Sequence, residues 1–183
     1  MRADKGATAS FLKAVAHLMI YIETDSPQFR KCLRVIVAQW ALESNYGNSE
    51  LAKNFRNFAG LKFRKAVSHV CDRKADYTDW EKESDAYLWP ESEQNFVEVY
   101  FEFIARRVYQ GFDKKLPSPT KFIKHIADCG FCGAISGVSK KDYSDQEEYR
   151  KAVHAEYFHR VTDLALSDKL NNVILLASEL ILP

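Results

Sequence analysis

The sequence lacks an excess of either charge. Lysine and arginine total 26 against 25 aspartates and glutamates, a formal net charge of +1. Nucleic-acid binders draw affinity from a basic surplus facing phosphate, so no nucleic-acid partner is expected. No long block of like charges forms an interaction tail. Long apolar runs are missing too. The stretch 11–22 is broken by Lys13 and His17 and is too short to cross a bilayer. Glu23 and Asp25 follow it in place of a small-residue cleavage site, so it does not read as a secretory signal. The expectation is a chain without a membrane span, made in the cytoplasm, that needs specialised export to reach any substrate outside.

Cysteine is sparse. Cys32, Cys71, Cys129 and Cys132 include a single C-x-x-C, with no second pair for zinc and no βαβ pattern for a thioredoxin-like motif. His125 lies four residues before Cys129, which leaves a metal site short of a fourth ligand. Buried thiols, or a disulfide formed after export, are expected, with no metal and no cofactor. Internal repeats, low-complexity tracts and domain-sized linkers are also absent. The 183 residues, 46% of them apolar, therefore read as a single domain, 1–183, with one core.

What is present is helical periodicity. Phe11, Val15, Leu18, Met19 and Ile22 predict a helix over 9–24 with Ser10 as its cap. Ser26-Pro27 opens a second helix over 28–45, apolar on nearly every side from Val35 to Leu42, and Gly47 terminates it. Asn48-Ser49 caps a short helix over 50–54. Residues 63–89 show alternation at Val67, His69 and Cys71, then mixed aromatics and charges, and predict a small β-hairpin lobe. Further helices are predicted over 92–109, over 120–127 with Thr120 as cap, over 145–163 with Asp145 as cap, and over 170–182. A glycine-rich loop spans 130–137. The predicted class is mainly α (α+β), a helical domain with a small β-hairpin lobe.

Glu43 stands out within this pattern. A carboxylate that follows a long apolar run sits at the edge of a core, where lost hydration raises its pKa. A raised pKa keeps the proton near neutral pH, as a general acid requires. A helix-end glutamate that is merely exposed or paired has the same periodicity, so spacing alone does not decide between them.

The residues around Glu43 do. Ala38-Gln39-Trp40-Ala41-Leu42-Glu43-Ser44-Asn45-Tyr46-Gly47-Asn48-Ser49-Glu50-Leu51-Ala52 resembles the signature A-Q-x-A-L-E-S-x-(W/Y)-G-x-S-x-L-A of the glucosaminidases of glycoside hydrolase family 73. Asn57-Phe58-Ala59-Gly60-Leu61-Lys62 resembles the family's next segment, N-(L/F)-(F/A)-G-(I/L)-K. Asp76-Tyr77 is similar to an (E/D)-Y pair on the lobe, where the acid is often proposed as the second carboxylate. Tyr143 and Tyr149 keep the spacing of a Y-x-x-D-P-x-Y segment whose Asp-Pro pair is missing here. The resemblance spans roughly residues 30–155 and is strongest over 38–62.

The resemblance implies a lysozyme-like fold and a peptidoglycan hydrolase that cuts the β-1,4 bond between N-acetylglucosamine and N-acetylmuramic acid. It implies Glu43 as general acid and Asp76 as second catalytic carboxylate, with Asp79, Glu81, Glu83 and Asp85 as neighbouring candidates. Asp76 would activate water, act as nucleophile if the carboxyls close to about 5.5 Å, or orient the substrate's own acetamido group. Tyr46, Asn57, Phe58, Tyr77, Trp80, Tyr143 and Tyr149 are the expected glycan-binding residues, since flat rings stack on sugar faces. The partner is a peptidoglycan glycan strand. Small size and the missing export signal also resemble type VI secretion effectors, which implies action in the periplasm or cell wall and a cognate immunity protein over the groove. A muramidase and a catalytically silent binding protein are the alternative readings.

Overall fold

The structure is a computed structural model that describes residues 6–78, 84–116 and 118–181. Helix α1 (Ala9–Thr24) turns Phe11, Ala14, Val15, Leu18 and Ile22 inward. Its cap is Thr8, whose hydroxyl accepts from the Phe11 N–H, and not the expected Ser10. Ser10 instead donates to Glu93 Oε1 at 2.6 Å.

The predicted second helix is two elements. A 3-10 stretch, Pro27–Cys32, precedes α2 (Leu33–Ser44). Three residues per 3-10 turn align Phe29 with Cys32, and both are buried. Every residue of α2 from Val35 to Ala41 is buried, as the all-round apolar pattern requires. The helix stops at Asn45, Tyr46 and Gly47, which have φ of 49°, 55° and 81°. A Cβ on Gly47 would stand 2.3 Å from Thr8 Oγ1 and 2.8 Å from Phe11 Cβ, so only glycine lets α1 pass this close. Ser44 seals the turn by donating to Trp40 O at 2.6 Å and accepting from Gly47 N at 2.9 Å.

Helix α3 (Glu50–Phe55) is capped by Ser49, as expected. The lobe is an antiparallel hairpin of β1 (Lys74–Thr78) and β2 (Ser84–Leu88), with Tyr77 opposite Asp85 and Ala75 opposite Tyr87. Helix α4 (Glu93–Ile104) starts at Ser92, which accepts from the Asn95 N–H, and is shorter than predicted because a separate 3-10 turn, Arg107–Tyr109, follows it. In α5 (Pro119–Asp128), Ser118 is the cap and Pro119 takes the first turn, where its missing N–H costs nothing. That displaces the expected Thr120. Helix α6 (Gln146–Leu166) is capped by Asp145 and buries Tyr149, Val153, Tyr157, Val161 and Ala165. Helix α7 (Asp168–Glu179) packs on α1.

The core centres on Trp40, which meets Phe96 and Tyr100 edge-on at 4.8 and 5.1 Å. The molecule is therefore mainly α with a two-stranded lobe, the class the sequence predicts. Among the described residues no helix is long and apolar enough to cross a membrane.

Candidate active site

A cleft of about 950 Å³ opens where the end of α2 meets the lobe. Glu43 lies on its wall, with Gly60 and Lys62 beside it, Tyr77 and Tyr87 from the hairpin, and Tyr149 from α6. The loop 131–140 forms a further wall. Helix α2 delivers Glu43 from the packed core to this boundary, so the carboxyl is poorly hydrated. Burial pushes its pKa up to about 7, against a weaker opposing effect of a hydrogen bond with Tyr157. Gly60 has φ of 60°, and a Cβ there would stand 3.5 Å from Glu43 Oε2. Gly60 thus lies directly against the carboxyl on the cleft wall.

The lobe is held at a fixed height by Asn57. Its amide nitrogen donates to Leu61 O and Leu88 O, both at 2.9 Å, and its oxygen accepts from Leu61 N at 2.8 Å. Phe63 N and Leu88 N extend the attachment by donating to Ala86 O and Leu61 O. With Asn57 only 1% exposed and all its polar atoms engaged by backbone, it joins lobe to body and has nothing left for a sugar. Phe58 is likewise corrected. It is 0% exposed, edge-on to Phe11 and Phe96 at 5.8 and 5.1 Å, and belongs to the core.

Tyr46 is also buried, with Phe11 at its edge and Lys169 Nζ 4.2 Å from its ring centre. Tyr143 packs 6.0 Å from Tyr149 and is half-buried, so of these two it is Tyr149 that lines the cleft. Trp80, Asp79, Glu81 and Glu83 lie outside the described residues.

Strand alternation separates the lobe carboxylates. Tyr77 and Tyr87 share one face, 5.7 Å apart and edge-to-face, and both line the cleft. Asp85, paired with Tyr77, is on that same face. Asp76, paired with Ala86, is on the other and is exposed. Asp85 lies 3.2 Å from Lys62 Nζ. Slight burial works to raise its pKa, but the Ala86 N–H and the Lys62 ammonium outweigh that and hold it below the usual carboxylate range.

Residues that sequence reasoning passed over complete the site from behind. Gln39 Nε2 donates to the Tyr157 hydroxyl at 3.0 Å, and the Tyr100 hydroxyl donates to Gln39 Oε1 at 2.6 Å. Two spacings carried the signal. Gln39 is one turn before Glu43 on α2, and Tyr157 is two turns beyond Tyr149 on the buried stripe of α6. None of the four cysteines is joined in a disulfide. Cys129 Sγ lies 3.7 Å from His125 Nε2, and among the described residues no cluster of three metal-binding side chains forms.

A partly buried carboxyl of raised pKa, a carboxylate of lowered pKa on the lobe and tyrosines that line the cleft suit acid-assisted cleavage of a glycosidic bond. A family model described as Glucosaminidase, mannosyl-glycoprotein endo-beta-N-acetylglucosaminidase, matches residues 29–175. No curated protein and no solved structure matches the chain.

Proposed function

The chain belongs to the glucosaminidase family of glycoside hydrolases, and from that premise we propose that it cuts peptidoglycan between N-acetylglucosamine and N-acetylmuramic acid, with Glu43 as general acid. The observation that carries this reading is the Glu43 carboxyl itself, open to the cleft and pushed up to about pKa 7 by burial. In the reaction its proton passes to the glycosidic oxygen as the bond from the anomeric carbon breaks, and the positive charge that develops on the sugar is met from the lobe.

Among the described residues, Asp76 and Asp85 are the lobe carboxylates that can take that second role. The family resemblance favours Asp76, and the pleat favours Asp85, which shares a face with the cleft tyrosines. Either would activate water or, on closer approach, form a glycosyl-enzyme bond. Alternatively, the substrate's acetamido oxygen supplies the attack, oriented by the lobe carboxylate.

Digestion of purified sacculi separates these readings. Wild type is expected to release fragments with N-acetylglucosamine at their reducing ends by mass spectrometry, and Glu43→Gln to release none. Muramic acid ends would make the enzyme a muramidase. No release by folded wild type would make it a silent glycan binder. In the same assay the true second carboxylate loses at least about a hundredfold in rate when changed to its amide, so Asp76→Asn and Asp85→Asn tell the two apart.

We propose further that the enzyme acts in the periplasm or cell wall as an antibacterial effector with an immunity protein over the cleft, a reading that rests on the likeness to small secreted hydrolase toxins. Periplasm-directed expression is expected to lyse cells with wild type and not with Glu43→Gln. Unharmed cells would sink it.

A further inference from the structure

The buried side of Glu43 carries more polar structure than a helix-end acid needs. Gln39 and Tyr100 are 0% exposed and Tyr157 is 1% exposed. Polar groups inside a core cost free energy unless they are partnered, and apolar residues would fill the same space without that cost. Here they form one chain from α4 through α2 to α6. Tyr100 donates to Gln39 Oε1, which turns the amide nitrogen toward Tyr157. That nitrogen donates to the Tyr157 oxygen, so the Tyr157 proton points away from Gln39 and is available to the Glu43 carboxyl, which lies one turn along α2 on the same side and whose pKa the Tyr157 hydroxyl lowers.

We propose that Tyr157, held by Gln39 and Tyr100, is a positioning residue for the catalytic proton of Glu43. The Tyr157 hydroxyl occupies one carboxyl oxygen, so the acid proton resides on the other, which faces the cleft past Gly60. The proposal rests on the reading of Glu43 as the general acid. It explains why a glutamine stands one turn before the acid on a helix that is otherwise apolar through its middle. With a leucine at position 39, the Tyr157 hydroxyl would be free to rotate away from the carboxyl.

The same geometry has a consequence for pH. Among the described residues, the other titratable groups that line the cleft are Tyr149 from α6, Cys132 and Lys140 from the loop after α5, and Lys62, Tyr77 and Tyr87 from the lobe and its attachment. The influences felt by Glu43 are burial, which raises its pKa, and the Tyr157 hydroxyl, which lowers it. Removing that hydroxyl withdraws a hydrogen bond from the charged form, so the pKa rises and the alkaline limb of activity moves up.

The test follows initial rates of hydrolysis of soluble peptidoglycan fragments across neutral pH for wild type, Tyr157→Phe, Tyr100→Phe and Glu43→Gln, each checked by thermal melting. Tyr157→Phe is expected to lose about tenfold or more in kcat, to keep KM within about twofold, and to shift the alkaline limb upward by about half a pH unit or more. Tyr100→Phe, two bonds back along the chain, is expected to shift it the same way by less. A folded Tyr157→Phe enzyme with wild-type kcat and limb overturns the proposal. Should Tyr157→Phe fail to fold, an unmoved limb in Tyr100→Phe overturns it. Full activity in Glu43→Gln, or none in wild type, sinks the underlying reading of Glu43. An inactive Glu43→Gln beside unmoved tyrosine variants sinks the positioning role alone.

Discussion

The role proposed for Glu43 comes at the expense of the fold. Its carboxyl has an ordinary value of 4.5 and is pushed up to about 7 by burial. The folded state therefore holds the proton more tightly than the unfolded chain does. The stability linked to it is fully present below about pH 4.5 and is lost as pH rises through about 7. A shift of this size corresponds to about 3 kcal/mol. Glutamine has the same shape and never ionises. Glu43→Gln is thus expected to be as stable as wild type in acid and more stable above neutrality by roughly 1–3 kcal/mol. Urea unfolding at an acid and an alkaline pH measures this, and a difference that does not grow with pH would count against a buried ionising Glu43. Periodicity and motif were enough to find this residue in the sequence. Its partial burial was legible there as well, but its polar neighbour was not, because Tyr157 reaches it from the far end of the chain.

At the scale of elements, Asn57 gives the sharpest contrast between motif and structure. Its place in the family segment suggests a substrate ligand, whereas its three backbone hydrogen bonds make it the joint between lobe and body. Asn57→Ala would leave buried backbone groups unpaired, at about 1–3 kcal/mol. The expected result is a lower unfolding midpoint with a matching loss of activity that cooling relieves. A variant of wild-type stability with a raised KM would return Asn57 to the substrate. Which hydroxyl caps a helix was read two residues off at both α1 and α5. Ser10 and Thr120 had the right chemistry, but Thr8 and Ser118 had the extended backbone that a cap needs. Asp145 and Ser49 were legible because each stands just before a clear helical start. The break between the 3-10 stretch and α2 was not, since Phe29 and Cys32 suit either period.

On the scale of the whole molecule, function lies in the meeting of distant segments. In the proposed function, helix α2 supplies the acid, the hairpin the facing tyrosines and Asp85, and α6 both Tyr149 on the cleft wall and Tyr157 behind it. The two-part architecture and the position of Glu43 at its boundary followed from the order of periodic and alternating stretches. The facing of Asp85 rather than Asp76 toward the cleft tyrosines depends on strand register, which the residues of the hairpin do not reveal without their partners. The pKa of a general acid joins these scales, because it is set by a residue, a helix and a cleft together. The most direct test of the account is the pH dependence of glycan hydrolysis by wild type beside Glu43→Gln. The account predicts that the wild-type rate falls by half near pH 7, where Glu43 gives up its proton, and that Glu43→Gln is inactive throughout. A limb near the ordinary glutamate value of 4.5, or hydrolysis that survives the Glu43→Gln change, would contradict it.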